Sequence, residues 1–126
     1  MASRVAAVDA SVVVAWQNRD EPSHAEAVRL IAAWPDLVMH TVNLAEILGG
    51  VDKASWPILL DTLRGDGFRF RDTSAGQLAE AKLDTGLKMP DACVVAVARA
   101  EGADAIVSLD RRLSQAARAE GLVADQ

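Results

Sequence analysis

Four acids stand where one stretch of regular structure should give way to the next. Asp9 ends "RVAAVD", Glu46 lies in "TVNLAEILGG", Asp91 follows the Met-Pro pair in "GLKMPDACVVAVARAEG", and Asp110 ends "DAIVSLD". Ser11 accompanies the first and Ser108 the last. Carboxylates gathered within a few ångströms raise one another's pKa, and desolvation adds to the cost, so such a cluster binds protons or recruits cations. Oxygen-only ligands select hard ions, Mg²⁺ or Mn²⁺. A pair of such ions can orient a water, lower its pKa and stabilise the attacking and leaving oxygens of a phosphodiester displacement. No lysine or histidine is then needed as a base.

Each acid also has an ordinary explanation. Asp91 suits the first turn of a helix, where the dipole favours an anion. Asn43 and Glu46 match the spacing of a capping box. Asp110 would cap the final helix, and Asp9 would make an Asx turn after a strand. The chain holds 18 Asp and Glu residues, so the placement of any one carries little weight. The set matters only if the fold brings its members together.

The elements that must do this are legible as alternating strands and helices. "RVAAVD" is a short apolar run that reads as a buried strand over 4–9, and "SVVVAWQN" as a helix with Ser11 as its N-cap. "PSHAEAVRLIAAW" reads as an amphipathic helix started by Pro22, with Ala25, Val28, Ile31 and Ala32 inward. "DLVMHT" is a second strand, and "VNLAEILGGVDKAS" a helix with Leu44, Ile47, Leu48 and Val51 on one face. Glu46 shares a helical face with Asn43 and with Gly49 and Gly50, which leaves the surface beside it open. "WPILLDTLRGDG" is a helix stopped by Gly65 and Gly67, and "FRFRD" alternates as a half-exposed strand does. Ser74 and Gln77 box the next helix, which Gly86 ends.

The Asp91 segment is apolar on nearly every side as far as Arg99, the pattern of a buried helix. "DAIVSLD", "RRLSQAARAEG" and a last short strand "LVA" complete the order. Such alternation implies a parallel sheet covered on both faces, a three-layer α/β/α sandwich, whose ligands bind beyond the carboxyl ends of the strands. Asp9 and Asp110 both fall at such ends and should meet if their strands are neighbours. The pattern alone does not place Asp91 at the same edge.

Composition bounds the reading. At 126 residues, 51% hydrophobic and 25% charged, the chain suits one folded domain spanning 1–126. The run "VAAVDASVVVAW" is interrupted by Asp9 and is shorter than a membrane-spanning helix, so a cytoplasmic protein with no membrane partner is expected. The single Cys93 excludes an internal disulfide framework and a cysteine zinc cluster, and it reads as a small buried hydrophobe. A net charge of −5 opposes nucleic-acid binding on its face. An acidic pocket loaded with divalent cation nevertheless attracts phosphate.

"VDASVVVAW", "TVNLAEI", "MPDACVVAVA" and "IVSLDRRL" occur in the order and spacing of the PIN-domain ribonucleases, and the chain length resembles the VapC-type toxins of toxin–antitoxin pairs. The resemblance spans nearly the whole chain. It implies metal-dependent endonuclease activity on RNA, with products carrying 5′-phosphate and 3′-hydroxyl ends. It also implies homodimerisation and inhibition by a VapB-like antitoxin. Position by position, Asp9, Glu46, Asp91 and Asp110 match the family's acidic quartet, and Ser11 and Ser108 its accompanying hydroxyls. Where relatives often carry an aromatic residue after the last acid, this chain has Leu113.

Two other readings compete. A receiver-like signalling domain also gathers acids and Mg²⁺ at strand ends, but it needs a paired acid after the first strand and a late-strand lysine, and neither is present. A catalytically silent binding module would use the acids only as caps. Lys88, Arg111 and Arg112 lie close in sequence to proposed ligands and are the possible RNA contacts, against the ordinary reading of each as solvated surface. Trp16, Trp34 and Trp56 read as packing residues, and Arg69 and Arg71 as a solvated strand face. His24 and His40 show no catalytic or zinc pattern.

Overall fold

The structure is a computed structural model that describes residues 4–125. Strands β1 (Val5–Val8), β2 (Asp36–His40), β3 (Phe68–Arg71), β4 (Ala105–Val107) and β5 (Val123–Asp125) form one sheet in the order β3-β2-β1-β4-β5. Every neighbouring pair is parallel. The three central strands are short and almost wholly apolar because both faces of the sheet are covered. Period-two alternation sends Ala6, Val8, Leu37, Met39, Ala105 and Val107 into one core, and Ala7, Val38 and Ile106 into the other.

The first core is closed by α1 (Ala10–Gln17), α2 (His24–Ala32), α3 (Thr41–Gly49) and α4 (Trp56–Gly65). The second is closed by α5 (Ala75–Thr85), α6 (Met89–Glu101) and α7 (Arg111–Ala119). This is the expected three-layer α/β/α sandwich. Among the described residues no helix is long and apolar enough to cross a membrane. Residues 92–98 of α6 are all buried, as an all-round apolar helix must be. Cys93 is buried among them.

Several local expectations are corrected. Helix α2 begins at His24 and turns Ala27, Leu30 and Ile31 inward, while Val28, on the face expected to be buried, is 41% exposed. Two registers of that helix are nearly equally apolar, and the one that buries the larger Leu30 wins. Helix α3 stops at Gly49, and a 3-10 turn at Lys53–Ser55 precedes α4. The Trp56 indole N–H closes the end of α3 by donating to the carbonyls of Leu48 (2.9 Å), in its last turn, and of Val51 (3.1 Å), just beyond it. The Ser74–Gln77 capping box forms as its spacing predicts, and Gly86 closes α5 at φ +70°, a conformation that favours glycine.

Arg69 and Arg71 are more than a solvated face. The Arg69 guanidinium donates to Asp36 (2.8 Å) and to Glu101 (2.7 Å), and Arg71 pairs with Glu101 at 3.0 Å. Edge strand β3 is thereby clipped to β2 and to the end of α6. Arg69 is held in its charged form by its bonds to Asp36 and then Glu101, and Arg69 in turn draws the Glu101 carboxyl below its ordinary pKa.

Candidate active site

Chain order reverses at β1, with β2 on one side and β4 on the other, so the crevice between β1 and β4 is the topological switch point where such sheets bind ligands. Asp9 and Asp110 lie there. Val8 pairs with Val107, and the Asp9 amide donates to the Val107 carbonyl at 3.0 Å. The Asp9 carboxylate is only 7% exposed, and one of its oxygens, Oδ2, accepts from the Ser11 hydroxyl (2.7 Å) and the Ser108 hydroxyl (3.0 Å). Asp9 occupies the N-cap position of α1, yet its side chain makes no capping bond. The Asx-turn reading therefore fails, and Ser11 is a second anchor for Asp9 instead of the N-cap expected from the sequence.

Ser108 links two acids, because its oxygen also accepts the Asp110 amide at 2.9 Å. Asp110 does cap α7, with Oδ1 accepting the Arg112 amide at 2.8 Å. That bond uses one carboxylate oxygen. Asp91 sits in the first turn of α6, whose N-cap is Lys88, and its carboxylate makes no hydrogen bond among the described residues. Its carboxyl is pushed above the ordinary range by burial first, then by the charges of Asp9, Asp110 and Glu46, with Arg112 opposing. All four acids named from the sequence therefore lie within electrostatic reach of one point.

Glu46 is exposed on α3 and reaches toward α6. Its Oε1 accepts from the Asn43 amide at 3.2 Å, and the same amide nitrogen donates to the Pro90 carbonyl at 3.0 Å. Burial and then Glu46 push the Cys93 thiol up, another sign that Glu46 stands over the start of α6. The capping-box reading of Asn43 and Glu46 does not hold, since the cap of α3 is His40.

The donor set is carboxylate oxygen, and it suits a hard divalent cation. Among the described residues, however, no three His, Cys, Asp or Glu side chains stand close enough to hold one ion between them. Electrostatic reach exceeds coordination distance. Of the three cations singled out, Lys88, Arg111 and Arg112 are all exposed, and Arg112 is the one whose charge acts on Asp91.

Two residues have roles that the sequence reading did not give them. His40 is 2% exposed and caps α3: Nδ1 accepts the Val42 amide at 3.0 Å, so the ring proton sits on Nε2, which donates to Thr73 Oγ1 at 3.0 Å. Asn43 is fully buried between Glu46 and α6. Histidine is a weak capping signal, and a polar residue inside an apolar helix face was the sign that marked Asn43. The tryptophans pack as expected: Trp34 is buried beneath the Arg4 guanidinium, 4.3 Å from its ring centre, and Trp56 ends α3.

No curated protein matches the sequence. Solved structures do. VapC20 of Mycobacterium tuberculosis, a sarcin–ricin-loop-cleaving toxin, superposes with a TM-score of 0.70 at 23% identity, covering 94% of this chain and 96% of that one. A toxin–antitoxin complex from Klebsiella pneumoniae gives 0.66 at 18% identity over 86% and 87% of the two chains. VapBC2 of Rickettsia felis, bound to a DNA fragment from its promoter, gives 0.62 at 21% identity over 95% and 96%. These likenesses concern the fold. The PIN domain model matches residues 6–119, which takes in all four acids and both serines, and the chain belongs to the PIN domain family.

Proposed function

We propose that this chain is a divalent-cation-dependent endoribonuclease and the toxin of a toxin–antitoxin pair. What supports the reading most is the action of Asp9, Asp110 and Glu46 on Asp91, four acids from distant segments converging at the switch point of the sheet. A receiver-like domain would place a lysine there, and none of the four acids has one as a partner among the described residues. The structural neighbours that are a toxin and toxin–antitoxin assemblies support the biological role.

Asp9, Asp91, Asp110 and Glu46 would hold Mg²⁺ or Mn²⁺, in part through water, since Mg²⁺ keeps several of its own waters. The cation would supply charge neutralisation for the phosphate and a lowered pKa for a water. The protein's own part is positioning. Ser11 and Ser108 fix Asp9 by two donated hydrogen bonds, and Ser108 ties that acid to Asp110. Asp91 rides on a buried helix that holds it in place. Lys88, Arg111 and Arg112 would meet the RNA backbone at the rim. The products would carry 5′-phosphate and 3′-hydroxyl ends.

A homodimer and a VapB-like antitoxin complete the proposal. An open apolar groove of about 340 Å³ between α1 and α4, lined by Trp16, Val51, Ile58 and Leu59, is a surface that an antitoxin segment could cover. The test is direct. Purified protein with millimolar Mg²⁺ should cleave RNA and should melt at higher temperature than in chelator, since a ligand of the folded state stabilises it. Neither cleavage nor a thermal shift would favour the silent binding module.

A further inference from the structure

We propose that Asn43 is a positioning residue: its amide fixes the Glu46 carboxylate against the start of α6 and so sets Glu46 relative to Asp91. The inference rests on the reading of the four acids as a cation site.

The geometry is specific. One amide nitrogen donates its two protons to two acceptors on different elements, Glu46 Oε1 at 3.2 Å and the Pro90 carbonyl at 3.0 Å. The orientation of the amide follows from chemistry, because the flipped form would set Oδ1 against a carboxylate and a carbonyl. The peptide it grips leads directly into Asp91. Asn43 therefore ties the Glu46 carboxylate to the peptide that leads into Asp91.

Stability alone gives no reason for this residue. Asn43 is 0% exposed, and its Oδ1 has no hydrogen-bond partner. An unpaired buried acceptor is a cost that an apolar side chain of the same size would avoid. Nor is it a cap, since His40 fills that role. What remains is its grip on Glu46, an exposed carboxylate with no other hydrogen-bond partner among the described residues. Partners that orient the ligands of a metal commonly matter about 10- to 100-fold in metal affinity or activity.

The test uses Mn²⁺ binding to RNA-free protein, read from the electron paramagnetic resonance signal of free Mn²⁺, together with steady-state RNA cleavage. Asn43→Leu keeps the volume and removes both donors, and Asn43→Ala guards against a packing artefact. Asn43→Leu is expected to melt in chelator at or above the wild-type temperature, to bind Mn²⁺ about tenfold more weakly, and to lower kcat more than it raises KM. In a Glu46→Ala background the same substitution should change Mn²⁺ affinity by less than about twofold, because the residue acts through Glu46. Wild-type affinity in both variants, or an undiminished effect without Glu46, overturns the proposal while leaving the cation site standing. Failure of the wild-type protein itself to bind Mn²⁺ overturns the cation reading and this inference with it.

Discussion

The Asp91 carboxyl titrates above its ordinary range because burial and three neighbouring anions act on it, with Arg112 opposing. A raised carboxyl pKa means the folded state holds that proton more tightly than the unfolded chain, so ionising Asp91 costs stability as pH rises through its titration. Asp91→Asn keeps the shape and removes the charge. In chelator the variant should therefore melt above wild type; with Mg²⁺ it should lose most of the thermal shift and cleave RNA at least about 100-fold more slowly. Cleavage at the wild-type rate would remove Asp91 from the site. Ser108 carries a different burden, two bonds that join Asp9 to the Asp110 amide. Ser108→Ala should lower unfolding free energy by about 1–2 kcal/mol in urea titrations, since the Asp110 amide loses its acceptor and Asp9 Oδ2 keeps only the Ser11 hydroxyl of its two donors. The sequence announced these residues by their position at the ends of apolar runs. It left Asn43 as a cap, because spacing alone does not say whether an Asn begins a helix or lies buried inside one.

Helix α3 is the element whose cap the sequence hid, and that cap is a titratable one. His40 Nδ1 must be unprotonated to accept the Val42 amide, and burial holds the ring below its ordinary pKa of 6.5 against the pull of Asp72. A depressed folded pKa contributes stability that is complete above about pH 6.5 and is lost as pH falls through the lower folded value. His40→Asn keeps a capping acceptor without a titration. Between about pH 7.5 and about pH 5 the urea midpoint of wild type should fall further than that of His40→Asn. Equal slopes would show that the cap does not titrate in this window. Elsewhere the order of strands and helices was readable, because buried strands and amphipathic helices differ in period. The ends and inward faces were less so. Helix α2 has two apolar registers, and α3 is cut short by Trp56, which comes eight residues after one of the carbonyls it binds. Contacts of that kind leave no local pattern.

At the scale of the whole molecule, a net charge of −5 means that RNA, the proposed substrate, would meet a repelling surface, and the proposed antitoxin need not approach the acids at all. The groove at Trp16 lies at the far end of α1 from Asp9, and eight helical residues span about 12 Å. A segment seated there would cover Ile58, which is 72% exposed and costs the fold little if changed. Ile58→Glu puts a buried charge into any apolar contact made at this place. With the cognate antitoxin, the variant should bind at least about tenfold more weakly, while cleaving RNA alone at the wild-type rate. Co-purification and a cleavage assay titrated with antitoxin read the two effects separately. If the antitoxin inhibits Ile58→Glu as fully as wild type, its docking surface lies elsewhere. If the variant loses cleavage on its own, the groove and the acids are coupled through α1, which starts directly after Asp9 and ends at the groove.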